Sequence, residues 1–249
     1  MPMNNALRAE WKKAGYHTKM GSAAVVLPPH KKFIRVYHLS SAEFAISNIK
    51  LGRLKVARFS DLNDPFELMA LNLRERRMRK VVRDFKNTYD SHTGLLCFSA
   101  DWRNPVLWAH YADKNRGICL GFNLMRDRAQ QVQYKDERIL ANLGEEGDPL
   151  TLSTELQELL LRTKYRHWEY EDERRVFVPL EGAITEGSMH FCPFDQNLQL
   201  AEVILGPQCS LSLDDVRQLT LAKHPHAVTF AARPAIKFFT IVPKEKTVP

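Results

Sequence analysis

The fold is decided by residues 94–123, GLLCFSADWRNPVLWAHYADKNRGICLGFN. GLLCFSA (94–100) is a continuous apolar run of the length of a buried strand. NPVLWAHYADKN (104–115) has helical spacing, with Val106, Leu107, His110 and Tyr111 at intervals of three and four. Gly117 stops that helix, and ICLGFN (118–123) reads as a second strand. Upstream, FIRVYHLS (33–40) is rich in β-branched and aromatic residues and forms a strand. SAEFAISNIKLG (41–52) follows as a helix, capped by Ser40 or Ser41 and ended by Gly52. LKVARFS (54–60) is a further strand, and LNDPFE (62–67) a turn built on Asn, Asp and Pro.

A long helix is expected over about 68–88, carrying the basic run RERRMRKVVR (74–83). From 124 to 150 the chain is charged and ends in GEEGDP, a loop-like insertion, before the amphipathic helix LSTELQELLLRTKY (152–165). WEYEDERRVF (168–177), RRVFVPL, MHFCPF, AEVILG, AVTFA and KFFTIV then give short strands, interrupted by one helix, SLDDVRQLTLA. No internal repeat is visible. The expected class is α+β: a single domain over 33–249, preceded by an N-terminal extension, 1–32, docked on its surface.

Composition narrows the function classes. The 249 residues are 44% hydrophobic and 26% charged, with 11 Gly and 13 Pro, an ordinary globular balance that excludes disordered and collagen-like chains. No apolar run approaches the roughly 18–20 residues of a membrane span, and MPMNNALRAEWKKAG lacks the hydrophobic segment of a signal peptide. A cytoplasmic protein without membrane partners is expected. Thirty-six Lys and Arg against 29 Asp and Glu give +7, a balance that suits an acidic partner such as nucleic acid. The four cysteines, at 97, 119, 192 and 209, form no CxxC pair; buried free thiols in a reducing compartment are expected, and no metal site.

Four clusters stand out from packing. Tyr37, His38 and Ser40 end a strand where a helix begins, a place where backbone N–H groups grip polar ligands. Asn63 and Asp64 make the turn before Phe66 and Glu67. Trp108, His110 and Tyr111 offer rings able to stack a nicotinamide or a base. Along a strand, Glu171, Glu173 and Arg175 share one side, and paired carboxylates hold a sugar hydroxyl and stabilise positive charge on the adjacent carbon. An alternative for that row is a solvated edge strand.

Together the NDPFE turn, the W-x-HYA helix with its GxxLGF strand, and the YExExR strand resemble a bacterial family of domains of unknown function, over residues 33–242. The order of motifs is also similar to the ADP-ribosyltransferase superfamily, especially the branch that modifies DNA or RNA. That similarity implies an ADP-ribosyltransferase-like mixed sheet with peripheral helices, NAD as the group donor, and no metal. It implies that Tyr37, His38 and Ser40 grip NAD, with Asn63 and Asp64 beside them. Trp108, His110 and Tyr111 would enclose the nicotinamide half, and Arg175 would hold Glu173 or a phosphate. Glu173 would be the catalytic acid, Glu171 would activate the acceptor, and Glu202 is the rival for Glu173. The basic helix would steer a nucleic acid, or a protein docked on the basic patch. Such an enzyme suits a toxin or defence effector with an antitoxin or immunity partner. The competing readings are a non-catalytic nucleotide-binding module and a metal-independent nuclease acting through His38, His110 and Glu173.

Overall fold

The computed structural model describes residues 28–141 and 152–244. Most of the N-terminal extension and the GEEGDP insertion therefore lie outside the described residues. In chain order the strands are β1 (Phe33–Ser40), β2 (Arg53–Val56), β3 (Thr93–Ser99), β4 (Ile118–Met125), β5 (Gln130–Gln131), β6 (Gln133–Lys135), β7 (Thr163–Tyr165), β8 (Glu173–Pro179), β9 (Ile184–Glu186), β10 (Met189–Pro193), β11 (Leu198–Leu205), β12 (Val228–Pro234) and β13 (Ile241–Pro243). The helices are α1 (Ala42–Leu51), α2 (Arg76–His92), α3 (Pro105–Tyr111), α4 (Thr154–Arg162) and α5 (Leu213–Lys223). One mixed sheet, in the order β13-β12-β11-β4-β1-β3-β8-β5, organises the molecule. All its pairs are antiparallel except β11 with β12, which α5 connects.

Alternation along the strands gives the sheet two apolar faces. Val36, Phe98, Leu120 and Phe122 pack on one face against Ala45 and Ile49 of α1 and Val216 of α5. Tyr37, Cys119 and Ile204 pack on the other against Trp102 and α3. The centre is tight on this second face. A side chain at Gly121 would meet the Tyr37 ring at 3.0 Å and Glu202 Cβ at 2.9 Å, so glycine there lets three strands stack their side chains. β1 and β3 pair only at Tyr37 opposite Ser99. Near that divergence, His38 Nδ1 donates to Cys97 O at 3.1 Å.

Several elements differ from expectation for visible reasons. The helix expected from 68 begins at Arg76. Leu68 has a left-handed φ of 60°, Leu71 bridges to Ile139, and the Asn72 side chain accepts from Arg74 N, so 68–75 is irregular and pinned. The strand expected from Trp168 begins only at Glu173; Arg166–Glu171 is a 3₁₀ turn closed by Asp172 at φ 40°. KFFTIV is a strand only from Ile241, with Ile236, Phe238 and Phe239 turned to solvent. Ser41, not Ser40, caps α1 by accepting from Phe44 N, and Gly52 ends it at φ 62°. All four cysteines are free thiols. Among the described residues no helix is long and apolar enough to cross a membrane.

Gly117 does more than stop α3. A Cβ there would stand 2.0 Å from Ser40 O and 2.9 Å from the Ala112 backbone, because the left-handed turn Asp113–Asn115 presses the chain against the end of β1. We expect Gly117→Ala to lower unfolding stability by about 3 kcal/mol or more in a urea titration. Ala109→Gly, on the exposed side of α3, should cost about 1 kcal/mol.

Candidate functional site

Four segments converge on the end of β8 where Glu173 begins the strand. The NDPFE turn is held by its own backbone: Phe66 N donates to Asp64 Oδ1 at 2.9 Å and Glu67 N to Asp64 O at 3.1 Å. The turn leaves Phe66 outside and buries Glu67. Asn104 caps α3, its side chain accepting from Val106 N, and Pro105 opens the helix, placing His110 and Tyr111 on its last turn. β7 brings in Lys164, and the 3₁₀ turn brings in Glu171.

Arg175, with no exposed surface, ties the NDPFE turn to β8 and to the end of α4. Its Nη1 and Nη2 donate to Glu67 at 2.6 and 3.0 Å, its Nε and Nη2 to Glu173 at 2.9 and 3.2 Å, and Nη1 also to Leu161 O at 2.9 Å. Those five bonds match the five donors of a guanidinium. Lys164 Nζ lies 2.6 Å from Glu171 Oε2 and 3.3 Å from Glu173 Oε2. Tyr111 OH donates to the other Glu171 oxygen and accepts from Asn63 Nδ2 at 3.0 Å. Tyr134 OH accepts from Glu173 N at 2.8 Å.

Within ion-pair distance the cluster therefore holds three carboxylates and two cations. The surplus negative charge does not sit evenly. Burial opposes ionisation of Glu173, but the Arg175 guanidinium and the Lys164 ammonium overcome it and hold its pKa down to about 2. For Glu171 burial wins, and its pKa is pushed up despite Lys164 and the Tyr111 hydroxyl. Lys164 keeps its proton above the ordinary range; burial works against it, yet Glu173 and Glu171 prevail. Burial, then the Glu171 charge, raises Tyr111. Glu173 is thus held as an anion, and Glu171 is the carboxylate whose charge burial opposes.

Glu171 also lies nearest to solvent through its partners. Asn63 and His110 are exposed, Tyr111 and Tyr170 half-buried, and His110 Nδ1 is 2.9 Å from Tyr170 OH. On another side, a cleft of about 370 Å³ reaches Lys164. Among the described residues no group of three or more His, Cys, Asp or Glu is placed to hold a metal ion.

The sheet separates the remaining candidates from this cluster. Paired residues share a face, so Tyr37, Ser99 and Glu173 are on one side and His38 on the other. His38 contacts Phe98 edge-on, and burial lowers its pKa against its bond to Cys97 O. Among the described residues Ser40 Oγ bonds only the adjacent Ser41 O, at 3.4 Å. Tyr37 lies in the apolar core over Gly121. Trp108 is fully buried, its Nε1 donating to Trp102 O at 2.6 Å. Asp64 is buried in the turn. Glu202 pairs with Arg35, four strands from Glu173 and so roughly 19 Å away at ordinary strand spacing. The row expected on one side of a strand is instead a buried cluster, since Glu171 belongs to the 3₁₀ turn. One of its members, Lys164, was not among the sequence candidates, and Glu67 was singled out with Phe66 only as a residue the turn does not explain. Glu67 stood in the quoted turn, whereas Lys164 carried no pattern that marked it.

No protein-family model matches the chain, and neither a curated protein nor a solved structure is similar to it.

The two glutamates should separate by stability. An amide at Glu173 would present a donor to Arg175 or Lys164, so Glu173→Gln should cost about 3 kcal/mol in a urea titration at pH 7. Glu171→Gln removes the surplus charge and should change stability by less than about 1 kcal/mol. With its pKa lowered on folding, Glu173 contributes fully above the unfolded value near 4.5. That contribution fades as the pH falls towards 2, and acid titration of wild type against Glu173→Gln measures it.

Proposed function

We infer that this protein is a glycosyl-transfer enzyme of the ADP-ribosyltransferase kind, taking NAD as donor and using Glu171 as the catalytic carboxylate. The observation that carries the reading is the surplus negative charge at Glu171, buried beneath the exposed Asn63 and His110 and the half-buried Tyr111 and Tyr170. Cleaving a ribosyl C–N bond develops positive charge on the sugar, and a preorganised buried anion stabilises that charge without having to reorganise. NAD supplies the ribosyl group and the nicotinamide leaving group. A cleft of about 370 Å³ reaches Lys164, which holds Glu171, although Glu171 itself does not line it.

The roles expected for the two acids exchange in this reading. Glu173, bonded by Arg175 and Lys164, positions Lys164, and Lys164 in turn positions Glu171. Tyr111 orients the second Glu171 oxygen, and Asn63 orients Tyr111. The raised pKa of Glu171 suits a group that exchanges a proton with an acceptor hydroxyl or amine. His38 takes no part, being on the opposite face of the sheet.

The acceptor is read from α2. Met78, Val81 and Val82 face inward, leaving Arg76, Arg79, Lys80 and Arg83 as an exposed ridge at i, i+3, i+4 and i+7. Only Lys80 among them is ion-paired within the helix, to Asp84 at 3.5 Å. The ridge suits a phosphate backbone, and α2 approaches the cluster through Lys86, which lies 3.3 Å from Glu67 O.

Labelled NAD incubated with the protein and with DNA, RNA or a cell lysate tests the reading. Wild type should transfer label, and Glu171→Gln, folded by the criterion above, should be slower by about 10²–10³ or more. NAD left intact in every mixture would overturn it, and full activity in Glu171→Gln would remove Glu171 from its role.

A further inference from the structure

The cleft that ends at Lys164 has a lining the ion-pair cluster does not explain. Thr163 is 4% exposed, and its Oγ1 has no hydrogen-bond partner among the described residues. A bare buried hydroxyl is a cost that the fold itself does not recover. Phe66 and Tyr165 leave large rings 50% and 43% exposed at the same cleft. The Arg138 guanidinium lies 5.2 Å from the centre of the Phe66 ring, and Lys135 adds a second cation. Of the two acids on this rim, Asp136 is held by Arg166 at 3.1 Å, and counting Arg166 leaves the rim net positive.

We propose that this cleft is the recognition subsite for a nucleoside monophosphate unit. The base stacks on the Phe66 and Tyr165 surface, the Thr163 hydroxyl bonds its edge, and the phosphate rests on Arg138 and Lys135. Planar rings beside a guanidinium take any base face, and a forked cation beside a second cation takes a phosphate. One buried hydroxyl able both to donate and to accept suits a ring nitrogen or exocyclic group. The assignment rests on the reading above in taking a nucleotide as the ligand, and it places the nucleotide's base and phosphate on the cleft side of Lys164, with Glu171 on its far side.

Calorimetric titration of the full chain with AMP, adenosine and inorganic phosphate tests it, beside thermal melts. AMP should bind wild type and raise its melting temperature. Thr163→Val, Phe66→Ala and Arg138→Ala should each weaken AMP about tenfold, the change in affinity that one lost polar contact brings. Without ligand, Thr163→Val should melt no lower than wild type, because it removes the bare hydroxyl and keeps a β-branched residue in β7. Loss of affinity together with retained stability is a signature that a structural role for Thr163 does not give. AMP that fails to bind at millimolar concentration, or binds the three variants like wild type, overturns the subsite. Phosphate binding as tightly as AMP overturns it too, since the base would then contribute nothing. If AMP maps to these residues while labelled NAD is left intact, the subsite stands and the transferase reading falls. If label is transferred while the variants bind AMP unchanged, the reverse holds.

Discussion

Burying a guanidinium is expensive unless every donor is met and the charge is balanced close by. Arg175 meets that condition with five bonds to Glu67, Glu173 and Leu161 O, and in doing so it fixes the NDPFE turn, β8 and the end of α4 to one another. Those segments are more than a hundred residues apart at their extremes, and the ion network joins them beside the apolar cluster in which Leu68, Leu161 and Phe177 pack. It also leaves the surplus charge on the outermost carboxylate, because Glu67 and Glu173 are bound directly to Arg175 while Glu171 has only Lys164 and two neutral hydrogen-bonding neighbours in series.

The same arrangement links stability to chemistry. An anion held with a lowered pKa, like Glu173, stabilises the fold and is a poor proton carrier. An anion with a raised pKa, like Glu171, costs the fold something, because burial opposes its charge more than Lys164 and Tyr111 support it. Two glutamates two residues apart thus diverge in role because one begins a strand opposite Ser99 and the other ends a 3₁₀ turn.

The sheet supplies the frame for this division. β1, β3 and β8 put Tyr37, Ser99 and Glu173 on one face, and α3 covers part of that face while offering Tyr111 and His110 to the 3₁₀ turn. α1 and α5 seal the opposite face, where His38 is packed beside Phe98. A strand residue's neighbour in sequence is across the sheet from it, so the adjacent Tyr37 and His38 cannot serve one ligand on one face.

Strands with unbroken apolar or β-branched runs, such as 33–40 and 118–123, and the capped helix at 42–51 are legible from the amino acids, because those signals are local. The sequence also picked out Glu171, Glu173, Arg175, Tyr111 and Asn63 as chemically unusual. It did not reveal which of them meet. The long helix began eight residues late because Leu71 is tied to Ile139, a contact from 68 residues away. Trp108 stood between a stacking ring and core packing, since its period on α3 does not say whether the covering layer is solvent or Trp102. Glu202 stood as the rival of Glu173, and strand order puts three strands between them. Lys164 joined the site, and Glu67 found its partner, only through the closing of the network, as partner choice among buried charges depends on which ends of distant strands are brought together, and that is settled by tertiary structure alone.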